Sequence, residues 1–313
     1  MFIENVLKVK NEGWRYFIGC IIIFIFTQIG SIPFLVAIFS KIGAAGASNL
    51  DVKNMMTVLE HSNLTLFYVL IPYVFGFFGI LLVTKSLHNQ TFILLTTSRN
   101  KINFSKILIS FLVAGSIIIF SVAIGFFISP DQYLYNFNFE NFLTLLLISF
   151  LMIPLQTSFE EYLFRGYLMQ GLGGVFRNRW IPLIITSFLF GLLHFWNPEV
   201  STLGTIFLFH YILTGFFLGV LTIMDDGMEL ALGFHAGNNI LISLLITADW
   251  TVLQTDSILK FIGDPKMSLS TILPIIVLYP LILIYFSKKY NWENWEKKIL
   301  VKFEDKSNKV LEK

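Results

Sequence analysis

The 313-residue chain is 55% hydrophobic and 13% charged, with a formal net charge of +2 and a mean hydropathy of +0.73. Soluble domains usually carry about 25% charged residues, so a water-soluble globule is excluded. The near-neutral balance, with no long Lys/Arg run, excludes a nucleic-acid surface. Cys20 is the single cysteine, so an internal disulfide and a cysteine-based zinc site are excluded too.

Apolar stretches fall at 16–39, 64–84, 104–128, 141–168, 181–196, 203–223, 229–247 and 269–287. Their lengths scatter around the ~20 residues that cross the hydrocarbon, the fourth being long and the fifth short. Backbone groups in lipid must be satisfied within a segment, so the stretches read as helices. The fold class expected is all-α, a polytopic membrane bundle of about eight transmembrane helices. The first stretch is too long for the core of a cleavable signal peptide.

Lys8, Lys10 and Arg15 precede the first stretch, and Lys85, Arg99, Lys101 and Lys106 follow the second. Arg177 and Arg179 follow the fourth, and Lys288 and Lys289 open the tail. With eight spans all of these share one side, which gives an N-in/C-in orientation. The 129–140 loop on the other side carries Asp131 and Glu140; Lys41, Lys53, Lys260 and Lys266 are the exceptions. The tail, 288–313, mixes Trp292, Trp295, Ile299 and Phe303 with charges and reads as an amphipathic cytoplasmic helix. The simplest organisation is a single membrane-embedded domain over 1–313, with a motif-bearing core at 141–247. Gly215 and Gly219, four apart, allow close helix approach.

Ionisable residues inside spans are costly and mark functional sites by default. The fourth stretch holds Glu160-Glu161-Tyr162-Leu163-Phe164-Arg165-Gly166. Glu161 and Arg165, four apart, can pair on one face. Glu160 points about 100° away, which leaves it without a partner in its own helix. Desolvation suits such a carboxyl to general acid–base work; a packing pair with another helix is the plainer reading. The fifth stretch ends in Phe190-x-x-x-His194, and the seventh holds His235-x-x-x-Asn239, two side chains on one face. His61 and His88 read as solvated loop residues, and His210 as structural. One carboxylate, two imidazoles and one carboxamide on three helices can converge on one water or one metal ion. With straight spans, however, His194 falls toward the outer side and Glu160 and His235 toward the cytoplasmic side.

These three ordered motifs resemble those of the CPBP intramembrane proteases, the family of CAAX prenyl endopeptidases and of bacteriocin-processing or self-immunity (Abi) proteins. The matching residues are Glu160-Glu161-x-x-x-Arg165, Phe190-x-x-x-His194 and His235-x-x-x-Asn239, with the longer run Glu160 to Gly166 also typical. The resemblance implies a helical membrane protease acting on a hydrophobic or membrane-tethered peptide. In it, Glu160 activates the hydrolytic water and His194 assists. His235 and Asn239 stabilise the oxyanion, and Glu161 and Arg165 hold the site together. A zinc ion held by Glu160, His194 and His235 and a metal-free glutamate mechanism use the same residues. The location this implies is a bacterial plasma membrane, with the site facing the cytoplasm and the lipid bilayer and a peptide as partners. A non-catalytic immunity or binding protein of the same fold is the alternative. A proton transporter is disfavoured by the lack of inverted repeats.

Overall fold

The computed structural model describes residues 1–48, 50, 52–60, 62–266, 269–300 and 302. The principal helices are α1 (Gly13–Ser48), α2 (Ser62–Ser86), α3 (Phe104–Ile128), α4 (Phe139–Glu161), α5 (Met169–Phe176), α6 (Trp180–Leu193), α7 (Leu208–Asp225), α8 (Glu229–Leu245), α9 (Leu269–Tyr290) and α10 (Trp295–Ile299). A π-helical segment, Tyr162–Leu168, joins α4 to α5 without a break, so one rod runs from Phe139 to Phe176. The rod and α6 are the long and the short stretch of the sequence reading.

Among the described residues five helices are long and apolar enough to cross a membrane: Gly13–Ala47, Ser62–Ser86, Phe104–Ile128, Phe139–Phe176 and Thr205–Asp225. Trp180–Leu193 is a shorter apolar helix. The chain is thus a polytopic all-α membrane bundle. Its outer helical faces are apolar and exposed, with Phe17, Phe24, Phe120, Phe127 and Leu151 among them.

Small residues set the packing. On α8, a Cβ at Gly233 would lie 2.0 Å from the Ile107 carbonyl oxygen, and one at Gly237 would lie 2.5 Å from that of Phe111. Only glycine lets α8 approach α3 this closely. The same device joins α7 to α6: a Cβ at Gly215 would meet Ser187 O at 3.0 Å, and one at Gly219 would meet Leu183 Cδ1 at 2.4 Å.

The basic segments gather at one end of the bundle. Arg15 Nη1 donates to Leu87 O at 2.8 Å, Arg179 pairs with Glu4 and donates to the carbonyls of Lys297 and Lys298, and Lys298 pairs with Asp226 at 2.8 Å. Two of the exceptional lysines bind acids elsewhere: Lys41 pairs with Glu60 at 3.0 Å and Lys260 with Asp249 at 2.9 Å. Lys260 belongs to a three-stranded sheet that the apolar pattern hides. In it β3 (Leu259–Phe261) lies between β1 (Tyr133–Tyr135, antiparallel, Tyr133 opposite Phe261) and β2 (Ile246–Thr247, parallel). The predicted tail helix is described over 288–300 and 302: residues 288–290 end α9 and Trp295–Ile299 forms α10, so it is not one continuous helix there; residue 301 and residues 303–313 lie outside the described residues.

His88 departs from its reading as solvated. It is fully buried, its Nδ1 lies 2.7 Å from Lys10 O, and its Nε2 lies 2.9 Å from the Tyr167 hydroxyl. The chain turns inward just after α2, because the basic N-terminal segment covers that turn. His61 lies outside the described residues. His210 is packed as a structural residue, stacked on Phe207 at 4.9 Å between ring centroids.

Candidate active site

The two adjacent glutamates sit at the end of α4, where the helix widens into the π-helical segment. Such widened turns recur at functional sites because they re-aim side chains without ending the helix. Glu161 and Arg165 face each other across this turn, Arg165 Nη1 donating to Glu161 Oε1 at 2.9 Å. Arg165 Nη2 donates to the Gly215 carbonyl at 3.1 Å, and the guanidinium lies 4.5 Å from the centre of the Phe190 ring. Both ions are fully buried, a placement that demands pairing.

His235 reaches this pair from α8. Its Nδ1–H donates to Glu161 Oε1 at 2.8 Å, since a carboxylate accepts only. The other ring nitrogen, Nε2, stands 3.6 Å from Glu160 Oε2. Glu160 Oε1 accepts from Gln156 Nε2 at 2.6 Å, while Oε2 has no hydrogen-bond partner among the described residues. Asn239, one turn beyond His235, donates from Nδ2 to Gln156 Oε1 at 3.2 Å. Glu160 is therefore not left alone in its own helix: Gln156, four residues earlier, is its partner.

His194 caps the C-terminal end of α6. Its Nδ1–H donates to the Phe190 carbonyl at 2.7 Å, which leaves Nε2 as an acceptor. Its ring stacks on Tyr211 at 4.1 Å and 21°, and it packs against Phe190 at 4.7 Å. The Phe190 ring also meets His235, 6.1 Å away between centroids. Glu160, His235 and Arg165 all lie within electrostatic reach of His194.

The depth mismatch expected from straight spans is absent, for a countable reason. Glu160 lies sixteen residues before Phe176, the end of the rod, and His194 lies fourteen after Trp180, the start of α6. At ~1.5 Å per residue both lie roughly 20–25 Å from the same 177–179 turn. The rod runs past the predicted limit of 168, and this brings the two to one level.

Three residues of the site escaped the sequence reading. Gln156 was readable as a polar side chain at i−4 from Glu160 in an apolar helix. Asn238 was visible beside Asn239. Tyr211 had no signal at the level of sequence, since its role depends on how α7 meets α6. Among the described residues no group of three or more His, Cys, Asp or Glu is gathered closely enough to hold a metal ion.

Fold and site together define a class: a helical membrane protein with a buried Glu/His/Asn cluster built across three helices. Residues 138–241, which carry this whole cluster, match the Rce1-like family, described as type II CAAX prenyl endopeptidase. The uncharacterized protein YyaK of Bacillus subtilis (strain 168) is 30% identical over 239 residues, covering 76% of this chain and 79% of the relative. No solved structure matches the chain. The chain belongs to the Rce1-like family of type II CAAX prenyl endopeptidases, a family of intramembrane proteases.

Proposed function

We propose that the protein is an intramembrane endopeptidase that hydrolyses a hydrophobic or membrane-tethered peptide with a water activated by Glu160. The observation that carries this is Glu160 Oε2, a buried carboxylate oxygen with no hydrogen-bond partner among the described residues, 3.6 Å from His235 Nε2. Buried polar atoms are ordinarily bonded, and one that is not calls for a partner, which the reacting water supplies in this reading.

In this reading Glu160 Oε2 takes a proton from water, and His194 Nε2 accepts the second water hydrogen and orients it. The hydroxide adds to the peptide carbonyl carbon. The negative oxygen is stabilised by His235 Nε2–H and by an Asn239 Nδ2–H, donors fixed before the charge develops. Glu160 then returns the proton to the leaving nitrogen, the C–N bond breaks, and a carboxylic acid and an amine depart. Glu161 and Arg165 hold the His235 ring in orientation, and this route needs no metal ligand.

The family description makes a prenylated C-terminal CAAX peptide the first substrate to test. The Lys/Arg distribution supports an orientation with the basic end of the bundle in the cytoplasm. Purified protein in nanodiscs should cleave a farnesylated fluorogenic CAAX peptide, and Glu160→Gln should remove that activity while the protein stays folded. Full cleavage by Glu160→Gln would show that the site binds without catalysing, as in an immunity protein of the same fold.

A further inference from the structure

The hydrogen bonds around Glu160 run in one direction. Asn238 Nδ2 donates to Asn239 Oδ1 at 3.0 Å, Asn239 Nδ2 donates to Gln156 Oε1 at 3.2 Å, and Gln156 Nε2 donates to Glu160 Oε1 at 2.6 Å. Asn239 and Gln156 each accept from the amide before and donate to the group after. The chain ends on a carboxylate, which can only accept. Amides aligned head to tail polarise one another, and a bond onto an ionised acceptor is stronger than one between neutral groups.

Gln156 is the pivot of this chain. It is buried, with 8% of its surface exposed, and it lies one turn before Glu160 on the face of α4 that meets α8. No other residue touches both Glu160 and Asn239 through hydrogen bonds among the described residues. Its side chain selects between two otherwise equivalent oxygens: Oε1 is taken by the amide, while Oε2 faces His235 Nε2 at 3.6 Å. On the other side it uses one Asn239 N–H and leaves the second for a developing oxyanion.

We propose that Gln156 is a positioning residue of the hydrolytic site, holding Glu160 by Oε1 so that Oε2 is the oxygen that meets the water, and orienting the Asn239 carboxamide in the same stroke. The inference rests on the protease reading of this site. It makes the general base and the oxyanion donor a coupled pair rather than two independent groups. Gln156 itself touches neither water nor peptide, so its loss should slow the chemical step without weakening substrate binding.

The test uses the full chain in nanodiscs and the farnesylated fluorogenic CAAX peptide. Gln156→Met keeps the volume and removes both hydrogen bonds. The result expected is a kcat lower by about 10- to 100-fold with KM within about twofold. Asn239→Ala lowers kcat alone, and the double variant falls by less than the product of the two single losses, because part of each loss runs through the shared Asn239–Gln156 bond. Should the Met variant fail to fold, Gln156→Asn carries the same expectation, since it keeps a neutral amide that is one methylene too short to reach Glu160. A folded Gln156 variant with wild-type kcat, or losses that multiply fully with Asn239→Ala, overturns the positioning role and leaves the protease reading standing. No cleavage by the wild type, or full cleavage by Glu160→Gln, overturns the protease reading and the inference with it.

Discussion

Among the described residues two clusters of charge stand out, and they are built on opposite rules. At the end of the bundle, Asp225 Oδ1 accepts from Lys106 and Trp292 and its Oδ2 from Arg99. Glu229 Oε1 accepts from Asn103 N and its Oε2 from Arg99. Asp226 Oδ1 accepts from Phe2 N and its Oδ2 from Lys298. All six carboxylate oxygens are bonded, and they join the N-terminal segment, the 97–103 loop, the start of α3, the α7–α8 turn and the tail. In the middle of the bundle, Glu160 Oε2 and Glu161 Oε2 are buried without a hydrogen-bond partner among the described residues. A saturated cluster is a clamp; an unsaturated one holds capacity for a reacting group.

Substitutions on the two sides should separate rate from stability. Glu160→Gln should lower peptide cleavage about a thousandfold or more, with the thermal midpoint unchanged; equal loss of stability would place Glu160 with the clamps. Arg165→Met removes the guanidinium and leaves Glu161 buried with His235 alone, so unfolding should become easier by about 3–5 kcal/mol, read by thermal denaturation in detergent. Asp225→Asn is the counterpart in the other cluster: a loss of about 1–3 kcal/mol in stability with the cleavage rate of the surviving folded protein retained. Tyr211→Leu removes the ring that stacks on His194 and should lower kcat about tenfold, whereas Tyr211→Phe keeps the stack and should stay near wild type.

The smallest effect belongs to His88. Burial holds its imidazole below the ordinary value, against the opposing pull of the Lys10 carbonyl. The folded chain therefore binds fewer protons than the unfolded one in the window below about pH 6.5. The stability this group contributes is present above that pH and is lost as the pH falls through the window. The melting temperature should drop on acidification from pH 7, and His88→Asn should flatten that slope.

How much of this was legible in the sequence follows from what periodicity encodes. Spacing assigns residues to a face, so the Glu161–Arg165 pair and the close approach at Gly215 could be read directly. The apolar pattern likewise placed most helix ends within a few residues, but α1 runs on to Ser48 and the rod to Phe176, past the limits of 39 and 168. Spacing does not encode the level at which two helices meet: His194 stands beside the α4 and α8 residues because the rod continues to Phe176, and nothing in the local pattern around 168 marks that extension. Nor does it encode which neighbour fills a hydrogen bond, so the Tyr211 stack and the three carboxylates of the end cluster were invisible. Gln156 was the avoidable omission, since the i−4 rule that paired Arg165 with Glu161 applies to it equally.

The π-helical segment also fixes a rotational phase. Upstream of it the rod presents carboxyl groups to α8; downstream, its glycines lie against the N-terminal region, where a Cβ at Gly171 would strike Tyr16 at 2.6 Å and one at Gly173 would strike Ile3. Deleting one residue between 162 and 168 would restore a regular helix yet swing the lower half by about 100°. Its two halves could then no longer serve both neighbours at once. The residue count of this one uninterrupted rod is therefore fixed by the two neighbours it has to meet.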